Sequence, residues 1–268
     1  MKIGIMNFPA ADIFEEIEWA SKNKFDFVDI TLEPPLAYYD ALNPVSVRSA
    51  LKKAGISAVG HTAYYFPIGS PMKTMRAAAV KELVKCADFF AKIGVRKMNI
   101  HPDFNQPHFF NKDKRLEFNI ESLKKITAHG EKTGVEIMIE NMNSDIDCLA
   151  PVFSAIPELK FHCDVGHANL LPGNCDIDAV LKKFPGRLRH VHLSDNKGGY
   201  GDLHIPLGAG TIDWNKVGMA LKDIGYDDTV TLEVFSPDRK YLTYSRDKFK
   251  KIWAGLAGAP KRAKKDSL

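Results

Sequence analysis

Apolar positions along this chain follow two alternating spacings. From Pro71 onward, Met75, Ala79, Leu83, Cys86 and Phe90 recur every three or four residues, and Trp214, Val217, Leu221 and Ile224 repeat the pattern later. Each series marks one apolar face of a helix. The second spacing is a short, continuous Val/Ile-rich run, as expected for a strand buried on both faces of a parallel sheet. A recurring phrase joins the two: KKAGISAVGH, AKIGVRKMNIH, EKTGVEIMIE, FPGRLRHVH and DIGYDDTVTLE. Its glycines are Gly55, Gly94, Gly134, Gly186 and Gly225. A glycine just past a helix takes the left-handed conformation that ends it. Start signals are present too. Asn43-Pro44 and Ser70-Pro71 place a capping side chain before a first-turn proline, and Asp12 with Glu15 has capping-box spacing.

These signals predict strands near 2–6, 25–31, 57–60, 97–100, 136–139, 159–163, 188–191 and 229–232. They predict helices near 12–22, 44–54, 71–93, 113–133, 147–155, 176–183, 213–224 and 238–256. Eight β/α pairs in 268 residues suit an α/β fold of the (β/α)8 TIM-barrel type in a single domain, spanning about residues 1–258. An open doubly wound sheet would want a Gly-rich phosphate turn after the first strand, where this chain has Met6-Asn7-Phe8-Pro9. Only the last residues, 259–268, read as a detachable, disordered basic tail.

Composition adds boundaries. At 45% hydrophobic and 26% charged the chain is an ordinary globular one. The stretch Ala54–Met72 lacks Asp, Glu, Lys and Arg, yet it holds His61, Pro67, Ser70 and Pro71 and does not read as a membrane span. Asn7 and Pro9 interrupt the N-terminal apolar run, so it reads as a first strand rather than a signal peptide, and the expected location is cytoplasmic. The cysteines Cys86, Cys148, Cys163 and Cys175 lack CxxC spacing and read as reduced, mostly buried thiols. The tail APKRAKKDSL carries most of the net charge of +4, so the body is nearly neutral and gives little support to nucleic acid as a partner.

The chemistry lies at the strand ends. His61, His101, Glu140, His192 and Glu233 each fall six to eight positions after a helix-stopping glycine, and Asp164 ends the LKFHC run. In a barrel the C-terminal strand ends surround one mouth, where active sites form. One strand-end histidine is ordinarily a hydrogen-bonded structural residue, but six such side chains in register are costly to bury together without a cation. His167 follows in DVGH, and Asp202 and His204 share one side of an extended loop, GGYGDLHIPLGAG. His162 and His190 lie two residues before Asp164 and His192, so they face inward as lower core or as donors that orient ligands. Glu33, near the end of the second strand, is a further candidate substrate contact. An all-carboxylate and imidazole set suits Mn²⁺, Mg²⁺, Co²⁺ or catalytic Zn²⁺. The aromatic segments Tyr64-Tyr65-Phe66 and Phe109-Phe110 read first as packing over the rim.

The segments IHPD, MIEN, CDVGHAN, HVHLSDN, GDLHIPLGAGTIDW and TLEV, spread over residues 57–235, resemble the xylose isomerase-like TIM-barrel superfamily. It includes sugar isomerases and epimerases and the endonuclease IV type of apurinic endonuclease. For the epimerase branch the resemblance implies one divalent ion on Glu140, Asp164, His192 and Glu233, with His167 contacting a substrate oxygen. For the endonuclease branch it implies up to three zinc ions, with His61, His101, His167, Asp202 and His204 as the added ligands. The wording DVGHAN and HIPLGAGTIDW is closer to the isomerase/epimerase branch, and GIMNFPA stands where the endonuclease has its own start motif. The expectation is therefore a metal-dependent isomerase or epimerase of a small sugar or related polyol ketone. Glu140 and Glu233 would abstract and return a proton through an enediolate. The alternative is an abasic-site zinc phosphodiesterase, a third reading is a non-catalytic sugar- or partner-binding barrel, and assembly into a homo-oligomer stays open.

Overall fold

Each apolar run of the sequence becomes a buried parallel strand, and each periodic segment becomes the helix that covers it. The computed structural model describes residues 1–104, 110–142, 146–171, 173 and 175–256. Its strands are β1 (Lys2–Met6), β2 (Phe27–Leu32), β3 (Ser57–Thr62), β4 (Lys97–Ile100), β5 (Glu136–Glu140), β6 (Lys160–Asp164), β7 (Leu188–Leu193) and β8 (Thr229–Leu232). They pair in sequence order, every pair parallel, and β8 closes on β1, giving a (β/α)8 barrel. Between and after them run α1 (Ile13–Lys22), α2 (Pro44–Ala54), α3 (Lys73–Ile93), α4 (Lys112–Thr133), α5 (Ala150–Ala155), α6 (Val165–Ala168), α7 (Ile177–Lys183), α8 (Trp214–Asp223) and α9 (Lys240–Gly255). A 3₁₀ turn, Ile146–Leu149, leads into α5, so the helix expected near 147–155 is a composite. The expected tail at 259–268 lies outside the described residues.

Local signals act largely as expected. Asn43 caps α2 by accepting from the Val45 and Ser46 amides at 2.9 and 3.1 Å, and Asp12 caps α1 by accepting from the Phe14 amide at 2.7 Å. Gly55, Gly94 and Gly134 end α2, α3 and α4 at φ 68°, 86° and 71°. Two expectations fail. α7 ends at Phe184, where Pro185 already blocks it, so Gly186 is no left-handed cap. Ser70 caps a turn ahead of α3 by accepting from the Met72 amide at 3.2 Å. The Arg76 guanidinium donates to the carbonyls of Ser70 and Pro71 at 2.7 and 3.3 Å, which holds that turn outside the helix. Met75 is consequently exposed, and the buried face of α3 includes Arg76, Ala79, Leu83, Cys86 and Phe90.

The apolar core has two parts. The larger fills the space between strands and helices, whereas Phe27, Val59 and Met138 form a small plug inside the barrel. The side-chain period of two along a strand then stacks polar residues above this plug. Phe27 is followed by Asp29 and Thr31, Met138 by Glu140, His162 by Asp164, and His190 by His192, all buried. The interior is therefore apolar at one end and titratable toward the C-terminal mouth.

Candidate metal centre and active site

The six expected strand-end residues converge on that mouth. Glu140 and Asp164 are the last residues of β5 and β6; His61 and His192 each sit one residue before the end of their strands. His101 and Glu233 follow β4 and β8 directly. All six are buried, and a cavity of about 540 Å³ opens beside them. Its walls include Met6, Phe8, Glu33, Pro34, Tyr64 and Phe235, with His61, His101, Glu140, His167, Asp202, His204 and Glu233 toward its floor. Tyr64 thus faces the cavity instead of only packing the rim; Phe109 lies outside the described residues.

Glu140 is the most heavily contacted carboxylate. Its Oε2 lies 3.1 Å from His101 Nε2, 3.6 Å from His61 Nε2 and 3.2 Å from His162 Nδ1, and it accepts from the Asn99 side-chain amide. Its Oε1 lies 3.0 Å from His167 Nδ1. Asp164 is held by Asn141, whose side chain donates to the Asp164 carbonyl and accepts from its amide, both at 2.8 Å. One Asp164 oxygen accepts from the His167 amide at 2.6 Å; the other, Oδ2, is buried without a hydrogen-bond partner, 3.7 Å from His192 Nδ1. His192 Nδ1 is also 3.0 Å from Glu233 Oε2.

Five candidate ligands thus fall into two overlapping sets. Donor atoms of Asp164, His192 and Glu233 lie within 4.8 Å of one another, as do those of Glu140, Asp164 and His167. Asp164 is common to both. His61, His101 and Glu140 form a third set of the same tightness. Asp202 bridges His167 Nε2 at 3.1 Å and His204 Nε2 at 2.9 Å. Glu33 lines the cavity but joins none of these sets.

The electrostatics reflect burial set against close carboxylate and imidazole partners. Burial pushes the Asp164 carboxyl up to about 7, reinforced by Glu233 and Glu140 and opposed by His167 and His192. Burial also works against ionisation of Glu233, but the facing His192 and His204 overcome it and bring it down to about 2. Burial likewise opposes charge on His204, yet its bond to Asp202 and the field of Glu233 raise it to about 9. A divalent cation fits this arrangement. An unpartnered buried carboxylate oxygen, an imidazole nitrogen and further carboxylates face one another within ligand reach, and all are oxygen or nitrogen donors.

Two buried carboxylates not among the sequence candidates shape the site. Asp29 on β2 lies beneath the mouth, with Oδ2 2.9 Å from each of His190 Nε2, His192 Nε2 and Thr231 Oγ1. Its signal is a lone acid inside FVDITL, in register with Thr31 and Glu33. Asp195 organises the Gly-rich loop. It accepts from the Gly208 amide at 2.7 Å, Trp214 Nε1 at 2.9 Å, the Asn196 amide at 3.0 Å and the Ile212 amide at 3.3 Å. The loop packs so closely that a Cβ on Gly210 would lie 2.0 Å from the Asn196 carbonyl oxygen, which explains the glycine. His162 and His190 are fully buried beneath the mouth, consistent with the inward register expected for them.

Comparisons with known proteins agree with this architecture. The family described as xylose isomerase-like TIM barrel matches residues 17–252. MJ1311 of Methanocaldococcus jannaschii, an uncharacterized protein, is 31% identical over 127 residues, 44% of this chain and only 43% of that protein's own length. L-ribulose-5-phosphate 3-epimerase UlaE of Escherichia coli is 24% identical over 247 residues, covering 85% of this chain and 84% of UlaE. The crystal structure of a D-tagatose 3-epimerase-like protein superposes with a TM-score of 0.85 at 20% identity, covering 96% of this chain and 98% of that one.

Proposed function

Because the chain belongs to the xylose isomerase-like TIM barrel family, we propose that it is a divalent-metal-dependent isomerase or epimerase of a small sugar or related polyol ketone. The observation that carries the reading is the position of Asp164, within ligand reach of Glu140 on one side and of His192 and Glu233 on the other. A divalent ion held by Glu140, Asp164, His192 and Glu233 would polarise a substrate carbonyl and its neighbouring hydroxyl, so that charge developing toward an enediolate is stabilised.

The chain's own groups move the proton. Glu233 takes the proton from the carbon beside the carbonyl. Glu140 returns one, drawn through the contact between its Oε1 and His167 Nδ1 at 3.0 Å. His167 Nε2 in turn meets Asp202, which lines the cavity. A positioned acid or base of this kind contributes about 10²–10⁴-fold in rate. Phe8, Tyr64 and Phe235 offer apolar surface to the C–H face of a sugar, and Glu33, Asp202 and His204 offer polar groups to its hydroxyls. Among the described residues lining the cavity none is Lys or Arg. A substrate without a phosphate group fits this lining better than a phosphorylated one.

The test follows solvent deuterium into a panel of ketoses with metal-loaded protein. Incorporation that disappears in Glu140→Gln and Glu233→Gln supports the two-carboxylate scheme; full exchange in both variants overturns it. A second reading, a zinc phosphodiesterase acting at abasic DNA sites, is favoured by the extra set of His61, His101 and Glu140 and by Asp202 between His167 and His204. Protein purified without added metal separates the two. About one ion per chain and no nicking of abasic duplex supports the isomerase, whereas about three zinc ions with nicking supports the phosphodiesterase.

A further inference from the structure

Apart from His192, the buried layer directly below the mouth is used by neither reading, and it contains an unusual junction. A single oxygen, Asp29 Oδ2, meets three groups at 2.9 Å each: His190 Nε2, His192 Nε2 and Thr231 Oγ1. Asp29, His190, His192 and Thr231 are all fully buried, and they come from β2, β7 and β8. A carboxylate oxygen can only accept, so His192, whose Nε2 meets only Asp29, must present N–H there; Thr231 Oγ1 lies 2.9 Å from His190 Nε2 as well as from Asp29. His190 Nδ1 lies 2.7 Å from the Thr229 hydroxyl. His192 has its Nδ1 at the opposite ring edge, 3.7 Å from Asp164 Oδ2 and 3.0 Å from Glu233 Oε2. The other Asp29 oxygen is buried without a partner. The local hydrogen-bonding demand therefore falls on the single oxygen that fixes the two rings.

We propose that Asp29 is a positioning residue for the metal centre: it locks the His192 ring with hydrogen on Nε2, so that Nδ1 is the atom offered to the ion between Asp164 and Glu233. This rests on the metal-dependent reading above and adds to it which nitrogen binds and what holds it there. Ring tautomer and orientation are set by the partner of the nitrogen that does not bind the metal, and loss of such a partner typically weakens metal binding about 10–100-fold. Asp29→Asn keeps nearly the same shape but allows an amide NH₂ to turn toward Nε2, which would put the His192 hydrogen on Nδ1 and block the ligand atom. Thr231→Val removes one donor to Asp29 and a 2.9 Å contact to His190 Nε2 but leaves the bond from Asp29 to His192, so it controls for disturbance of the buried layer.

The experiment measures Mn²⁺ affinity by calorimetry for wild type, Asp29→Asn and Thr231→Val, with melting temperatures of the metal-free proteins alongside. Wild type also receives ¹¹³Cd²⁺ with ¹⁵N-labelled histidine, and the cadmium–nitrogen coupling is assigned to a ring atom. The expected result is coupling at His192 Nδ1, Mn²⁺ binding about 10–100-fold weaker in Asp29→Asn, and a change below about threefold in Thr231→Val. Coupling at Nε2, or Asp29→Asn binding Mn²⁺ as tightly as wild type, overturns the role of Asp29 and leaves the proposed function standing. Wild type that binds no divalent ion overturns both. Should Asp29→Asn fail to fold, the wild-type coupling still decides the inference.

Discussion

The mouth is braced from outside by one ion pair whose removal has a calculable cost. Arg239, just ahead of α9, grips Glu16 on α1 through both guanidinium nitrogens, at 2.7 and 3.1 Å. Its guanidinium also stacks 3.8 Å above the Trp19 ring. The Glu16 side chain is 6% exposed and that of Arg239 is 32% exposed. Breaking a fully buried pair by removing one partner costs about 3–5 kcal/mol, because a buried charge is left alone. Partial exposure of Arg239 moves the expectation for Arg239→Ala to about 2–3 kcal/mol. At about 2 °C per kcal/mol for a chain of this size, the melting temperature falls by about 4–6 °C. The pair also touches the site, since Glu16 Oε2 accepts from the Phe8 amide at 3.4 Å and Phe8 walls the cavity. Arg239→Ala should therefore raise KM more than it lowers kcat. Calorimetric melting of Arg239→Ala, Glu16→Gln and the double variant separates the causes. The double variant should be more stable than Arg239→Ala, because the stranded charge is gone. A melting temperature within about 1 °C of wild type for Arg239→Ala, or no recovery in the double variant, would refute the reasoning.

Three further outcomes are expected. Asp195→Asn places an amide among four N–H donors and should cost about 3 kcal/mol, read by denaturant unfolding, while raising KM because the loop carrying Asp202 and His204, which face the cavity, loosens. Asn141→Ala leaves the Asp164 amide and carbonyl unsatisfied and should cost about 2–4 kcal/mol by the same measurement, with weaker metal binding. Free ketoses should be turned over with kcat/KM at least tenfold above their phosphate esters; the reverse preference would contradict the reading of the cavity lining.

How much of this could be read from the chain depends on how local each cause is. The eight strands and their covering helices follow from short-range spacing and from caps such as Asn43 and Gly55, whose geometry is decided within one turn. The convergence of His61, His101, Glu140, Asp164, His192 and Glu233 was legible because five of them share a spacing from a preceding glycine, Asp164 ends its own apolar run, and the barrel supplies the rest. Gly186 misled because Pro185, its neighbour, had already ended the helix. Asp29 escaped because its partners His190, His192 and Thr231 lie more than 160 positions away and meet it only once β8 closes on β1. The same holds for the pairing of Glu16 with Arg239, 223 positions apart. Glu33 was the acid that drew attention on the second strand because it ends the run, yet the structure gives it a place on the cavity wall beside Tyr65 and outside the ligand sets.

The central claim, that ligands from four strands meet around one cation, is tested most directly by anomalous diffraction from crystals soaked in Mn²⁺. The expected result is a strong manganese peak bonded to Asp164, His192 and Glu233, with Glu140 completing the set. A peak bonded elsewhere, or crystals that take up no manganese at these four side chains, would contradict it.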